Sequence, residues 1–132
     1  MNLLVNIDVD DLAAAESFYT AAFGLHAGRR FGSAAVELLG ATEAIYLLHK
    51  PAGSVAAGTS LRDYSRHWTP VHCDVVVDDL DVALARARAA GALHEDGIRE
   101  HDWGRIATLA DPFGHGWCLL QFRGRGYDEI AT

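Results

Sequence analysis

The chain has 132 residues, half of them apolar, and a formal net charge of −7 at pH 7. That length suits a single domain, residues 1–132, with its own hydrophobic core. The acidic balance argues against nucleic acid and anionic membrane surfaces as partners. No apolar run approaches the roughly 20 residues of a membrane span. With two cysteines and no secretory leader pattern, we expect a cytoplasmic protein.

An internal repeat organises the chain. Residues 3–12 read LLVNIDVDDL and residues 71–80 read VHCDVVVDDL, and each alternating run leads into apolar residues at helical spacing. Each helix is predicted to begin after an aspartate and to end at a glycine. These pairs are Asp11 with Gly24 and Asp79 with Gly91. The order of strand, cap, helix and stop therefore occurs twice.

Three strand-like stretches follow each predicted helix. They cover residues 25–31, 34–39 and 44–49 in the first half, and 93–98, 105–110 and 116–122 in the second. The fold class is therefore predicted to be α+β, built from two tandem βαβββ modules at 1–50 and 71–122. A linker loop at 51–70, with a short helical turn expected near 61–66, joins them. Residues 123–132 are expected to form a C-terminal tail of uncertain order.

The first strand of each module carries polar side chains on one face. Asn6 and Asp8 lie opposite the apolar side of the first strand, and His72 and Asp74 do the same in the second module. Ionised carboxylates are costly to bury unless they are paired or hydrogen-bonded. These faces either meet bulk solvent on an open sheet or line a wet, ligand-binding cavity. The repeat favours the cavity, because equivalent units usually pack their sheets together.

Three segments carry a resemblance to a known family. They are the first helix with its flanks at 11–25, the strand and helix at 72–91, and the turn DPFGHGW at 111–117. Together they resemble the vicinal oxygen chelate superfamily, which includes glyoxalase I, bleomycin-resistance proteins and extradiol dioxygenases. The resemblance implies that the two modules form a U-shaped, partly open barrel and that the protein is a homodimer.

The resemblance also implies where a metal would sit. Metal-dependent members take one ligand from the first and one from the last strand of each module. Those positions fall on Leu4, Tyr46, His72 and Cys118. Leucine cannot ligate, tyrosine rarely does, and a divalent site normally needs at least three protein donors. We therefore expect no metal cofactor. A divalent metal at His72, with polar groups of the strand faces as further donors, is the alternative.

Single residues beside these positions have competing interpretations. Cys118 is either a thiolate nucleophile next to His72 or an inert, buried apolar residue. Cys73 points to the helix side of its strand by parity, which argues against a disulfide between the two cysteines. His115 is expected to brace the turn that contains it, and Trp103 to lie at the rim of the cavity or on the surface.

Three functions are consistent with this pattern. The favoured one is a protein that binds a small molecule, as bleomycin-resistance proteins do, with aromatic residues such as Trp68 stacking on a flat ligand. Its candidate ligand-binding residues are Asn6, Asp8, Tyr46, His72, Asp74, Trp103 and Cys118. The alternative is a metal-dependent lyase, isomerase or dioxygenase acting on vicinal oxygens. A metal-free enzyme with His72 or Asp74 as general base is the third, so enzymatic activity stays open.

Overall fold

The computed structural model describes all 132 residues, which divide into two compact units, Met1–Ser65 and Arg66–Thr132. The division falls inside the stretch expected to be a linker. Each unit contains one α-helix and one open sheet of at least four strands, so the α+β class is confirmed. The U-shaped arrangement of the pair stays a prediction. Neither helix has the length and apolar character needed to cross a bilayer.

The first unit combines a four-stranded sheet, one helix and a two-stranded ribbon. Its elements are β1 (Val5–Val9), α1 (Leu12–Phe23), β2 (His26–Phe31), β3 (Ala35–Leu39), β4 (Ile45–His49), β5 (Val55–Ala57) and β6 (Ser60–Leu61). The strand order is β1-β4-β3-β2, with β1 parallel to β4 and the other pairs antiparallel. Strands β5 and β6 form the separate ribbon.

The second unit repeats this plan. Its elements are β7 (Cys73–Val76), α2 (Leu80–Ala90), β8 (Leu93–His94), β9 (Arg99–His101), β10 (Gly104–Ala110), β11 (Gly116–Phe122) and a 3-10 turn (Gly126–Glu129). The strand order is β7-β11-β10-β8, and β9 also pairs with β10. Strand β7 runs parallel to β11. In both units, therefore, the strand before the helix lies beside the last strand of the sheet.

Both helices begin and end where the sequence predicts. The carboxylates of Asp11 and Asp79 each accept a hydrogen bond from the backbone N–H three residues later, at 3.0 and 3.1 Å. Gly24 and Gly91 follow the helices with positive φ angles of 68° and 118°. A residue with a side chain is strained at positive φ, so glycine is the residue that commonly ends a helix in this way.

The apolar face of each sheet packs against its own helix. In the first unit Ile7, Leu47 and Val36 are register partners on adjacent strands and are buried. The helix α1 contacts strands β3 and β4, and α2 likewise contacts β10 and β11. Because strand side chains alternate, the neighbouring positions of each strand point to the opposite face of the sheet. That second face carries the polar residues described below.

Two expectations about local structure were wrong. No helical turn forms at 61–66, because the backbone of Arg62 instead pairs with Gly53 and Ser54 and extends the ribbon. The stretch 93–98 is not one strand. His94 and Arg99 both pair with β10 and are five positions apart in the sequence, whereas their partners Leu109 and Ile106 are only three positions apart. The extra residues between His94 and Arg99 therefore bulge out of the sheet.

The C-terminal tail at 123–132, whose order the sequence leaves open, contains one short regular element. Residues 126–129 form a 3-10 turn rather than an irregular end. The ring of Tyr127 lies 4.8 Å from Phe122 and 5.2 Å from Trp103, which anchors the turn to the sheet. Gly126 is buried with φ of 63°, a conformation that lets the chain fold back there.

Candidate functional site

A row of polar side chains crosses the sheet of the second unit. In register, Asp74 of β7 lies beside Cys118 of β11, and Cys118 beside Thr108 of β10. The Thr108 hydroxyl oxygen is 3.8 Å from Cys118 Sγ, and Arg99 donates a hydrogen bond to that hydroxyl at 3.2 Å. His72 lies two residues before Asp74, and its Nε2 is 3.3 Å from Asp74 Oδ1.

The first unit has the same row with different chemistry. Asn6, Tyr46 and Glu37 are register partners on β1, β4 and β3. Arg29 of β2 binds the buried Glu37 carboxylate through Nε and Nη2, the latter at 2.5 Å. The Tyr46 hydroxyl donates to Glu37 at 3.0 Å and accepts from Arg29 at 3.0 Å. The three groups thus satisfy one another.

This closed cluster is fixed in its charged state. Hydrogen bonds from the Arg29 guanidinium and backbone, with a further one from Tyr46, lower the pKa of Glu37 to about 2 from an ordinary 4.5. Hydrogen bonding to Glu37 raises the pKa of Arg29 in turn. A carboxyl group with so low a pKa does not exchange protons near neutral pH. The first row is therefore structural in character.

The thiol in the second row is protonated at neutral pH. Cys118 is only 2% exposed, and burial raises the pKa of its thiol, partly offset by the hydrogen bond with Thr108. The neighbouring Asp74 carboxylate raises the pKa further. Since the thiolate is the nucleophilic form, this setting argues against Cys118 as a free nucleophile. Both cysteines are free, as the strand parity predicts.

A cavity of about 460 Å³ opens beside this row in the second unit. Its lining residues are Arg66, His67, Trp68, Glu95, Asp96 and Thr108. Thr108 belongs to both the cavity and the row. The ring of Trp68 also lies 4.7 Å from that of His72. Cavity and row therefore form one continuous site, which we call the second-unit site.

An ion pair holds one wall of the cavity in place. Arg66 binds Glu95 through Nε at 2.9 Å and Nη2 at 2.6 Å, and its guanidinium lies 5.8 Å from the Trp68 ring. A Cβ at Gly116 would come within 2.8 Å of Arg66 Nη2 and 3.1 Å of Trp68. The missing side chain at this glycine lets both residues lie against β11.

The turn before β11 positions Cys118. The buried Asp111 carboxylate accepts hydrogen bonds from the backbone N–H groups of Phe113 and His115 at 2.8 and 3.0 Å. The indole N–H of Trp117 donates to it at 3.1 Å, and His115 Nδ1 lies 3.1 Å away. The expectation that His115 braces this turn is confirmed. Together these bonds fix where β11 begins.

The structure brings together only some of the candidate residues. His72, Asp74 and Cys118 meet in the second-unit site, whereas Asn6 and Tyr46 lie in the corresponding row of the first unit. Their roles in ligand binding stay predictions.

Two further candidates have other partners. Asp8 accepts a hydrogen bond from Arg62 Nε at 2.7 Å, beside the ribbon of the first unit. Trp103 stacks on His101, with ring centroids 4.7 Å apart and planes 5° from parallel. It precedes the first residue of β10, at the far end of that strand from Ala110, and packs against Tyr127. No local pattern in the sequence indicates that the tail packs against this tryptophan.

Sequence reasoning did not single out Arg66, Glu95, Asp96, Thr108 or Arg99. Arg66 and Glu95 are 29 residues apart and lie in irregular segments, so no local pattern links them. Thr108 had a usable signal. It stands at the middle of a predicted strand in which its neighbours are apolar.

The four family positions do not supply a divalent metal site. Leu4 is apolar and 60% exposed, and the Tyr46 hydroxyl is already bonded to Glu37 and to a guanidinium that would repel a cation. The second unit alone offers a different set. An imidazole nitrogen of His72, a carboxylate oxygen of Asp74 and Cys118 Sγ lie within 4.8 Å of one another. Three such donors fit a divalent ion.

Comparison with known proteins gives matches over almost the whole chain. The family model for a glyoxalase-like domain matches residues 4–120. An uncharacterised protein of Mycobacterium bovis is 36% identical over 133 residues, covering 94% of this chain and 86% of that protein.

Two solved structures share the fold. A lactoylglutathione lyase of Agrobacterium tumefaciens aligns with a TM-score of 0.65 and 19% identity over 92% of each chain. A glyoxalase/bleomycin resistance protein/dioxygenase family enzyme of Burkholderia phytofirmans aligns with a TM-score of 0.70 and 20% identity, over 91% of this chain and 97% of that one. At these identities the likeness concerns the fold alone.

Proposed function

This chain belongs to the glyoxalase-like family, and we propose that it binds a small organic molecule with a flat ring in the second-unit site. The observation that carries the proposal is the position of Thr108, which both lines the cavity and stands in the row with Cys118 and Asp74. A cavity of about 460 Å³ is in the size range of small-molecule sites. A ligand there would meet an aromatic wall and a polar floor together.

The aromatic wall is Trp68, whose side chain is half exposed although it contacts His72 and Arg66. An exposed indole face beside a cavity favours ligands that stack. The Arg66 guanidinium on that ring is held by Glu95, so the wall keeps its shape before a ligand arrives. Preorganisation of this kind lowers the entropy cost of binding.

The charges of the site favour a neutral or cationic ligand. The two arginines beside the cavity, Arg66 and Arg99, are each within ion-pair distance of an acidic residue at 2.6 and 3.5 Å. The Asp74 carboxylate lies beside the His72 imidazole and the Cys118 thiol, and it forms no ion pair with an arginine. The balance of the row is therefore negative when the imidazole is neutral. We propose no metal at the four family positions.

Ligand-observed NMR tests this proposal. Planar heteroaromatic fragments, with metal-free bleomycin as a larger probe, would be screened against the purified chain. We expect binders that are lost or weakened about 5-fold or more in Trp68→Ala, because stacking on an aromatic side chain contributes about 1 kcal/mol or more. Trp103→Ala is the matched control, since that tryptophan packs against the tail. Binding equal in both variants, or no binders at all, contradicts the proposal.

A second candidate is a metal-dependent lyase, isomerase or dioxygenase. The close approach of His72, Asp74 and Cys118 favours it, and these residues would hold the ion. A divalent ion there supplies Lewis-acid polarisation of substrate oxygens. The chain's own groups would position the substrate, with Trp68 against its apolar part and Thr108 as hydrogen-bond partner. Turnover that is abolished both by chelation and by His72→Ala would support this candidate over simple binding.

We also propose that the protein is a homodimer, as the family resemblance implies. Light scattering on the eluting peak of a size-exclusion column measures the mass directly. Twice the chain mass of 14.3 kDa is the expected result, and a mass equal to one chain contradicts it.

A further inference from the structure

We infer that a groove beside helix α2 binds a small organic acid through its carboxylate. The groove belongs to the second unit and has a volume of about 570 Å³, in the size range of small-molecule sites. We call it the α2 groove, and its lining residues are Ala85, Arg88, Ala89, Ala92, Leu93 and His94. None of them lines the cavity of the second-unit site. The inference therefore goes beyond the proposed function.

The strand register places the α2 groove on the opposite face of the sheet from the second-unit site. His94 of β8 pairs with Leu109 of β10, whereas the preceding residue Thr108 belongs to the second-unit site. Side chains of a strand alternate between the two faces, so His94 and the buried Leu109 point to the helix side. The two sites can therefore be tested separately.

One guanidinium supplies the charge that would hold an anion. Arg88 lies in the last turn of α2, where it is exposed and has no ion-pair partner. The acidic residues that follow His94 are Glu95 and Asp96, and both pair with other arginines. A guanidinium presents its N–H donors in a fork that matches a carboxylate. A single cation balances the single charge of a monocarboxylate, which favours that class over a phosphate dianion.

The end of the helix leaves room for a negative charge near Arg88. The C-terminus of a helix carries partial negative charge on its last carbonyl groups. Here the carbonyl oxygens of Ala87 and Arg88 accept hydrogen bonds from the backbone N–H groups of Ala92 and Gly91, at 3.0 and 3.1 Å. These bonds satisfy the carbonyl groups and so reduce their repulsion of an anion.

The imidazole of His94 offers a second polar group. Its Nε2 is buried, and no residue of the chain forms a hydrogen bond with it. Buried polar atoms in native proteins nearly always have a partner, so this atom calls for one. Rotation about the Cβ–Cγ bond, a broad torsion, turns the nitrogen toward the groove. With its proton on Nε2, the ring donates a hydrogen bond to a carboxylate oxygen.

Small side chains leave space for the apolar part of the acid. Ala85 and Ala89 are one helical turn apart, and both are exposed. Ala92 and Leu93 complete the apolar lining. Covering their methyl groups with a short hydrocarbon chain removes apolar surface from water. The expected ligand is therefore a monocarboxylate with an apolar chain of a few carbon atoms.

The first unit provides an internal comparison. Ala21 stands three residues before the glycine that ends α1, where Arg88 stands in the second unit. The space between α1 and β2 is instead spanned by an ion pair, in which Arg30 donates to Glu16 at 2.6 and 2.9 Å. No carboxylate site is expected there, so the stoichiometry predicted for the chain is one.

NMR of the full chain tests the inference. Pentanoate is the probe, with its amide and inorganic phosphate as comparison ligands, and the readout is the set of histidine ring signals of isotopically labelled protein. We expect one equivalent of pentanoate to shift the signals of His94, which are assigned by their loss in His94→Gln. Pentanamide should bind about 10-fold more weakly or worse, because it lacks the charge that Arg88 binds.

Two arginines of the same helix supply the decisive variants. Arg88→Ala should weaken pentanoate binding about 10-fold or more. Arg86→Ala is the matched control, because this exposed arginine lies outside the groove and should leave binding unchanged. Ala89→Leu keeps both polar groups but fills the groove, so it should also weaken binding. Leucine is a good helix former, and circular dichroism checks that each variant is folded.

Several results would overturn the inference. They are no binding of pentanoate at millimolar concentration, an equal loss in the two arginine variants, equal binding of pentanamide, or phosphate binding with the same dependence on Arg88. Trp68→Ala should leave pentanoate binding unchanged, and Arg88→Ala should leave fragment binding at the second-unit site unchanged. Failure of the α2 groove and failure of the proposed function can therefore be distinguished.

Discussion

The two units place polar side chains at the same register positions, but the side chains at those positions differ in chemistry. The first row ends in a carboxylate, Glu37, which Arg29 and the Tyr46 hydroxyl bind from both sides. The second row has Thr108 at the corresponding position, and its arginine is Arg99. The Thr108 hydroxyl carries no charge, and Arg99 forms its ion pair outside the row, with Asp96 at 3.5 Å. In the second row, Cys118, Asp74 and His72 therefore stay available to contact a ligand. In the first row, the polar side chains bind one another.

This difference shows which parts of a duplicated unit are free to diverge. The helix caps and strand register recur in both copies because the backbone depends on them. The side chains of the polar row take no part in the backbone hydrogen bonds. They can therefore form either a structural ion pair or a binding site.

The largest effect is expected at the turn that begins β11, which has no counterpart in the first unit. Asp111→Ala removes the carboxylate that binds two backbone N–H groups and the Trp117 indole, leaving buried donors unpaired. We expect a loss of roughly 3–5 kcal/mol in the free energy of unfolding. Urea denaturation followed by circular dichroism measures it. Glu43→Ala, in the exposed turn before β4, is the control and should change stability by no more than about 0.5 kcal/mol. Equal effects at the two turns would contradict the asymmetry.

The second effect concerns the closed row and depends on pH. The pKa of Glu37 is about 2 in the folded protein, below its ordinary 4.5, so the folded state favours the ionised form. The resulting stability is fully present above about pH 4.5 and is lost as the pH falls through about 2. Glu37→Gln should therefore be less stable than the wild type near neutral pH, with the difference shrinking in acid. Denaturation at several pH values measures this.

The exposed Glu43→Gln is the control for that pH series. Its stability difference from the wild type should stay small throughout. A gap between Glu37→Gln and the wild type that stays constant from pH 5 to about pH 2 would show that the ion pair does not stabilise the fold in the way described.

Local chemistry accounts for what the sequence could predict. Asp11 and Gly24 act on the backbone within a few residues, so the sequence alone predicts where the helix begins and ends. The repeat at 71–80 leads into a second helix with the same pattern. The superfamily resemblance, based on those segments and the turn at 111–117, is confirmed by the match over residues 4–120. Strand parity likewise placed His72 and Asp74 on one face.

The rest of the site depends on contacts between distant segments. Nothing near Arg66 in the sequence indicates that Glu95 will bind it, and the cavity wall exists only through that pair. The position of Trp103 is equally unpredictable from the sequence, because it depends on packing against Tyr127 of the tail. The bulge between β8 and β9 arises from register against β10, which the residues 93–98 do not reveal by themselves.

The smallest effect tests whether the open row and the cavity act together. Thr108→Val keeps the shape of the side chain but removes the hydroxyl that accepts from Arg99 and touches Cys118. We expect a loss of about 0.5–1.5 kcal/mol in stability, the net value of one hydrogen bond, and weaker fragment binding in the same NMR screen. Tyr46→Phe is the matched deletion of a hydroxyl in the first row. It should lower stability by removing a partner of Glu37 and leave fragment binding unchanged. If Thr108→Val binds fragments as the wild type does, the cavity is independent of the row, and the difference between the two units concerns stability alone.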